Sequence, residues 1–178
     1  MRTGWKTAFI RLLCAFVAAA RCFADGSIEY QVKAVCILNA ARFVEWPASA
    51  FDSATAPIVI GVLGENPFDS ILEKAVAHET ANRRRLVVRQ LGRGDSPAGC
   101  HILFICRSEA ARIGAIFESL GGTSVLTVSE IERFAQHGGI IGLGMQDNNV
   151  CFEVNQRAAK QAGLAISSKL LGLAKIVK

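Results

Sequence analysis

Seven consecutive residues, Pro57-Ile-Val-Ile-Gly-Val-Leu63, carry no charged or hydrogen-bonding side chain. The run is short, β-branched, and bounded by Pro and Gly. That is the signature of a strand buried on both faces. Such a strand needs cover on either side, so the segments around it decide the fold class.

Those segments alternate. Ile28 to Trp46 reads as a helix, with Val32, Val35, Ile37, Leu38, Ala41 and Phe43 forming a wide apolar stripe, Lys33 and Arg42 off its centre, and Pro47 ending it. After the first strand, Asn66 and Pro67 are suited to start a helix that reaches about His78. Arg85 to Leu91 and His101 to Cys106 read as strands. Ser108 to Leu120 reads as a helix with Ser108 as its cap, ended by Gly121-Gly122. Ser124 to Val128 is a fourth strand. Ser129 and Glu132 have capping-box spacing for a short helix through Gln136. The pattern then changes: Gly139 to Met145 and Val150 to Val154 read as a hairpin around Gln146-Asp-Asn-Asn149, with a helical region from Gln156 broken near Gly163 and restarting at Ser167. Strand–helix alternation implies right-handed crossovers. The expected fold is a three-layer α/β domain: a mixed, mostly parallel sheet plus an antiparallel C-terminal hairpin, with helices on both faces.

The N-terminus is not part of that pattern. Arg2 and Lys6 precede an apolar run from Thr7 to Ala20, and Cys22-Phe23-Ala24 offers small residues for a peptidase. This is the layout of a cleaved secretory signal, residues 1–24, followed by one domain, residues 25–178. Arg11 interrupts the run, and about 20 apolar residues are needed to span a bilayer, so a membrane anchor fits less well. Arg21 before Cys22 disfavours a lipoprotein.

Cleavage changes the charge. The signal holds Arg2, Lys6, Arg11 and Arg21 and no acid, so 20 Lys+Arg against 15 Asp+Glu becomes 16 against 15. A net charge of +1 gives no basis for nucleic-acid binding. Four cysteines remain in the domain, Cys36, Cys100, Cys106 and Cys151. An exported chain can pair them, or bury some as small hydrophobes. Cys100 and Cys106 flank one strand and stand about 20 Å apart if it is extended, too far for a bridge.

Chemistry-bearing motifs are scarce. Gly61-Val-Leu-Gly64-Glu-Asn-Pro67 lacks the GxGxxG pattern and a Walker lysine, and reads as an ordinary strand-to-helix turn. Arg83-Arg84-Arg85 reads as a solvated strand start, with an acidic partner or lipid headgroups as the other reading. His78, His101 and His137 stand alone, so no metal site is indicated. Glu130 and Glu132 fit a helix start, where the dipole accounts for them. No catalytic constellation or cofactor motif emerges.

Several segments together resemble a known family: Glu29-Tyr-Gln-Val-Lys-Ala34, Arg42-Phe-Val-Glu-Trp-Pro47, Ile58-Val-Ile-Gly-Val-Leu-Gly64, Gly99-Cys-His-Ile-Leu-Phe-Ile105, Val125-Leu-Thr-Val-Ser129, Phe152-Glu-Val-Asn155 and Ser167-Ser-Lys-Leu-Leu171. Their order is similar to that in YfiR-type periplasmic proteins. The resemblance implies a non-enzymatic, homodimeric periplasmic regulator with an α/β fold. It would hold an inner-membrane diguanylate cyclase inactive through the cyclase's periplasmic domain. An OmpA-like outer-membrane lipoprotein would sequester it, and cyclic di-GMP and biofilm formation would respond. Cys100 sits where the family has a recurring cysteine, the first strand lacks a partner for it, and Cys36 stands where an aromatic is common.

Candidate partner-binding residues follow from type and position. Glu153 and Asn155 share one face of the last hairpin strand, opposite Phe152 and Val154. Asn155 is also placed to cap the next helix. Ile141 is an apolar contact if its edge is exposed. Arg42 and Trp46 are hot-spot residue types at the end of the first helix, and Trp46 is equally a core candidate. The other functional class is a periplasmic small-ligand sensor acting on a different membrane partner, with the Gly64–Pro67 turn at a strand's C-terminal end as its site.

Overall fold

A computed structural model describes residues 28–146 and 149–177 of the chain. The signal-peptide reading lies outside the described residues. No helix among them is long and apolar enough to cross a membrane.

Helix α1 covers 28–43 and passes directly into β1 (Val44–Glu45). It stops before Trp46 because Asn82 Nδ2 donates to the Val44 carbonyl at 3.1 Å, supplying a partner where intrahelical ones run out. β2 (Ile58–Leu63) is the apolar run, buried almost throughout. α2 (Ile71–Val76) is shorter than the sequence suggests. Asn66 Oδ1 accepts from the Phe68 N–H at 2.8 Å, so Asn66 and Pro67 build a turn before the helix. β3 (Thr80–Ala81) and β4 (Arg84–Leu91) form a tight hairpin. Its two loop residues, Asn82 and Arg83, have φ of 53° and 65°, the positive pair that a type I′ turn needs. β5 (Ile102–Ile105) leads to a 3₁₀ turn at Arg107–Arg112 and α3 (Ile113–Ser119). β6 (Leu126–Ser129) follows, then β7 (Ile141–Gln146) and β8 (Asn149–Asn155). α4 (Gln156–Gln161), β9 (Ala165–Ile166), α5 (Ser168–Leu171) and β10 (Lys175–Val177) complete the chain.

The eight-stranded sheet has the order β10-β8-β7-β6-β5-β2-β4-β3, and β1 and β9 make a separate antiparallel pair. β4, β2, β5, β6 and β7 are parallel, while β8 returns antiparallel to β7. The sheet is therefore mixed and mostly parallel with an antiparallel C-terminal hairpin, as the sequence predicts. Gln146 pairs with Asn149, so the hairpin loop is shorter than the expected four residues, and its tip lies outside the described residues.

Alternate side chains feed two cores. Ile58, Ile60 and Val62 point with Phe104 and Val128 toward α1 and α2; Leu63, Leu103 and Ile105 point toward α3. One expected helix is missing. Residues 131–138 form turns instead. The Ser129 hydroxyl donates to the Ile105 carbonyl at 2.6 Å and accepts from the Ile131 N–H, and Arg133 adopts a φ of 56°. A right-handed helix cannot pass through that residue.

Candidate functional site

Lys33 places a charge inside the apolar layer. Its side chain is 1% exposed, and its ammonium bonds both Glu29, one turn earlier on α1, and Glu130, just past β6. Glu130 also accepts from the Tyr30 hydroxyl at 3.1 Å and pairs with Arg107 Nε at 3.2 Å. Burial pushes the Tyr30 phenol up to about 12, and the Glu130 charge adds to that. Two carboxylates and two cations from three separate elements thus balance one another where a lone charge would be expelled. Lys33, expected off the centre of the buried stripe, and Glu130, expected at a helix start, are corrected to members of this cluster. Glu132 is exposed.

Above the cluster lies an open cleft of about 750 Å³, lined by Arg107, Arg133, Phe134, Gly142, Met145 and Glu153 among others. It opens because β7 runs on to Gln146 whereas β6 stops at Ser129. Beside it, sharing Leu143, an apolar crevice of about 60 Å³ separates α1 from α5. Cys36 and Phe43 line one wall, and Leu173 stands at its rim, 76% exposed. On α1 itself Val32 and Val35 are 41% and 49% exposed. Both were expected in the core. Because Lys33 turns inward, these valines turn outward.

The Gly64–Pro67 turn is not open. Ser108 Oγ accepts from the Glu65 N–H at 2.9 Å, and a Cβ on Gly64 would lie 2.4 Å from that oxygen. Ser108 therefore closes this turn instead of capping a helix. Glu109, buried beside it, pairs with Arg112 at 2.8 Å. The space expected at this turn is found at the end of β6.

The candidate partner residues scatter. Glu153 lines the cleft and pairs with Lys175 at 2.7 Å. Asn155 Oδ1 accepts from the Ala158 N–H at 2.9 Å and its Nδ2 donates to the Ala135 carbonyl, which makes it the N-cap of α4. Ile141 is 3% exposed and sits in the core, so the condition attached to it is not met. Arg42 pairs with Glu79 on the surface, and the half-buried Trp46 donates from Nε1 to the His101 carbonyl at 3.2 Å. The four cysteines among the described residues are free thiols: Cys36 in the crevice wall, Cys151 lining the cleft, Cys100 and Cys106 buried at opposite ends of β5. Burial pushes the Cys106 thiol up to about 12, with Glu130 and Glu109 adding to it. No group of three His, Cys, Asp or Glu residues among the described residues is placed to hold a metal ion.

Residues 30–175, nearly the whole described chain, match a family model described as YfiR/HmsC-like. The chain belongs to the YfiR/HmsC-like family. Its ion cluster, apart from Glu29, and both of these surface depressions fall inside the matched span. Two solved structures share the fold. A conserved domain protein from Vibrio cholerae O1 biovar El Tor superposes with a TM-score of 0.52 at 14% identity, over 68% of this chain and 55% of that one. The ABC domain from Streptococcus pneumoniae, solved in complex with L-Trp, gives 0.51 at 11% identity, over 67% and 55%. This YfiR/HmsC-like chain thus matches about half the length of each, and at these identities the likeness speaks for the fold.

Proposed function

We propose that this chain is an exported regulator that binds the periplasmic domain of an inner-membrane diguanylate cyclase and holds the enzyme inactive. In this reading it works as a homodimer without catalysing a reaction. An OmpA-like outer-membrane lipoprotein withdraws it when the cyclase is to be released, and cyclic di-GMP and biofilm formation follow.

Family membership supports the reading. The observation that carries it on this chain is the outward apolar flank of α1, Val32 and Val35, which lie one helical turn before Cys36 and Asn39 of the Leu173 crevice. Exposed apolar side chains gathered beside a groove mark protein contacts. Regulation then needs only differential affinity: moving a cyclase from 1:99 to 99:1 in favour of its inactive state takes about 5.5 kcal/mol.

The test is genetic and direct. Deleting the gene should raise cellular cyclic di-GMP, and the wild-type gene should restore it, whereas a Val32→Asp/Val35→Asp double variant that reaches the periplasm folded should not. An unchanged level in the deletion strain counts against the proposal. Sequencing the exported protein from its N-terminus should place the cut after Ala24.

The cleft over Glu130 favours a second reading, a small-ligand sensor acting on another membrane partner. Co-purification of a bound metabolite, lost in an Arg107→Ala variant, would select it.

A further inference from the structure

We propose that the outer edge of β4 is a docking strand for an extended, acidic segment of a partner protein. The inference rests on the partner-binding reading above and adds to the α1 flank a second contact with a chemistry of its own.

β4 runs for eight residues, but β3 covers it only at Arg84 and Arg85. Beyond them the outer side of Leu86–Leu91 meets no strand among the described residues. Which backbone groups are free follows from the ladder. The Leu91 carbonyl accepts from the Gly64 N–H, so Leu91 points its polar groups at β2. Backbone direction alternates along a strand. Val87 and Arg89 therefore also face β2, while Leu86, Val88 and Gln90 present N–H and C=O outward. Such an edge is a template for one more strand.

The side chains select the occupant. Arg83, Arg85 and Arg93 are exposed, and no carboxylate lies within ion-pairing distance of them or of Arg89 among the described residues. Asp95, the nearby acid in sequence, accepts from the Gly92 N–H. Arg84 is a different case: it donates to the Ser53 and Ala56 carbonyls and lies 3.6 Å from the Phe51 ring centre, which pins the hairpin. On one sheet face the edge thus presents Arg85 and Val87, both exposed, with exposed Arg93 beyond the strand's end, whereas Arg89 is half-buried and donates from Nη2 to the Ala98 carbonyl and to Cys100 Sγ. A second copy of this edge would set arginines against arginines, which is unfavourable. A strand with an apolar residue flanked by acids matches it in charge and shape.

The experiment uses the mature protein with two synthetic peptides, one built on a Glu-Thr-Val-Thr-Glu repeat and the other with Lys for Glu. Binding is read by fluorescence anisotropy and by amide exchange. The Glu peptide should bind, should slow exchange at Val88 and Gln90 by about tenfold or more, and should weaken as salt is raised. The Lys peptide should not bind. Val88→Pro removes an outward N–H without touching the β2 ladder and should abolish binding. If that variant misfolds, Arg85→Glu/Arg93→Glu should reverse the preference between the peptides. Equal binding of both peptides, no binding of the Glu peptide, or unchanged exchange at Val88 and Gln90 would overturn the proposal and leave the arginines as guards against strand pairing. No cyclase enters this assay, so its outcome is separate from that of the cyclic di-GMP test.

Discussion

Lys33 on the first helix and Glu130 at the end of β6 are joined by a buried ion pair, although 97 residues separate them in sequence. This contact holds α1 against the sheet and fixes which side of the helix faces water.

Removing one partner should therefore cost more than removing both. Lys33→Ala leaves Glu130 buried with only Tyr30 and the exposed Arg107, and a loss of roughly 3–5 kcal/mol is expected. Lys33→Met combined with Glu130→Leu should recover most of it. Urea unfolding of the wild type, Lys33→Ala, Lys33→Met, Glu130→Leu and the double variant measures this, and a double-variant loss equal to the sum of the Lys33→Met and Glu130→Leu losses would mean that the pair is not coupled.

His101 makes folding sensitive to acid. Its Nδ1 accepts from the Val59 N–H at 3.1 Å, which leaves Nε2 as the donor to the Ala50 carbonyl at 3.0 Å. That is the neutral ring. Burial holds its titration below the usual imidazole value, outweighing the Ala50 carbonyl; Arg84 lowers it further, and Asp52 acts the other way. The unfolded chain then binds more protons, so the contribution is complete above about pH 6.5 and is lost as the pH falls through the lower folded value. An NMR titration of the ring should show a depressed midpoint, and unfolding midpoints should drop on acidification.

The hairpin register can be locked covalently. Gly144 lies opposite Cys151, and a Cβ on Gly144 would be 3.4 Å from the Cys151 sulfur. Facing antiparallel residues have Cα atoms about 4.5–5.5 Å apart, within disulfide range. Gly144→Cys should oxidise to a bridge with Cys151, seen as a two-dalton mass loss and blocked thiol labelling. Failure to form it would indicate a different register.

Gly139 admits no side chain. A Cβ there would lie 2.1–2.5 Å from three atoms of the Phe134 ring, which is itself buried. Gly139→Ala should destabilise by at least ~1–3 kcal/mol, the usual cost of overpacking. Gly114→Ala, at a helical position with open space around its Cβ, should be neutral or mildly stabilising in the same thermal scan.

What the sequence conveyed depended on how local the cause was. The buried strand Ile58–Leu63 was legible because its own residues are apolar on both faces. The Asn155 cap was legible as one of two roles, because its bond reaches only to Ala158. Lys33 was misplaced because its partner is distant in sequence, and with it went the orientation of Val32 and Val35. The two- and three-residue strands at Glu45, Ala165 and Ile176 carry no periodicity and exist through their partners. The missing helix after Ser129 had a sound local signal, and lost to a hydroxyl engaged with Ile105 and to a left-handed Arg133. The candidate site fared worst, since its cleft arises from unequal lengths of neighbouring strands.

The ladder of Val44 with Ile166 and the parallel pairing of Lys175–Val177 with β8 tie both early and late segments into the finished domain. A ribosome delivers these pieces in order, so the opening helix must wait for almost the entire polypeptide before its far end is secured. Contacts of this reach slow folding. In the exported regulator proposed above, that delay would keep the nascent chain loose until late in its synthesis.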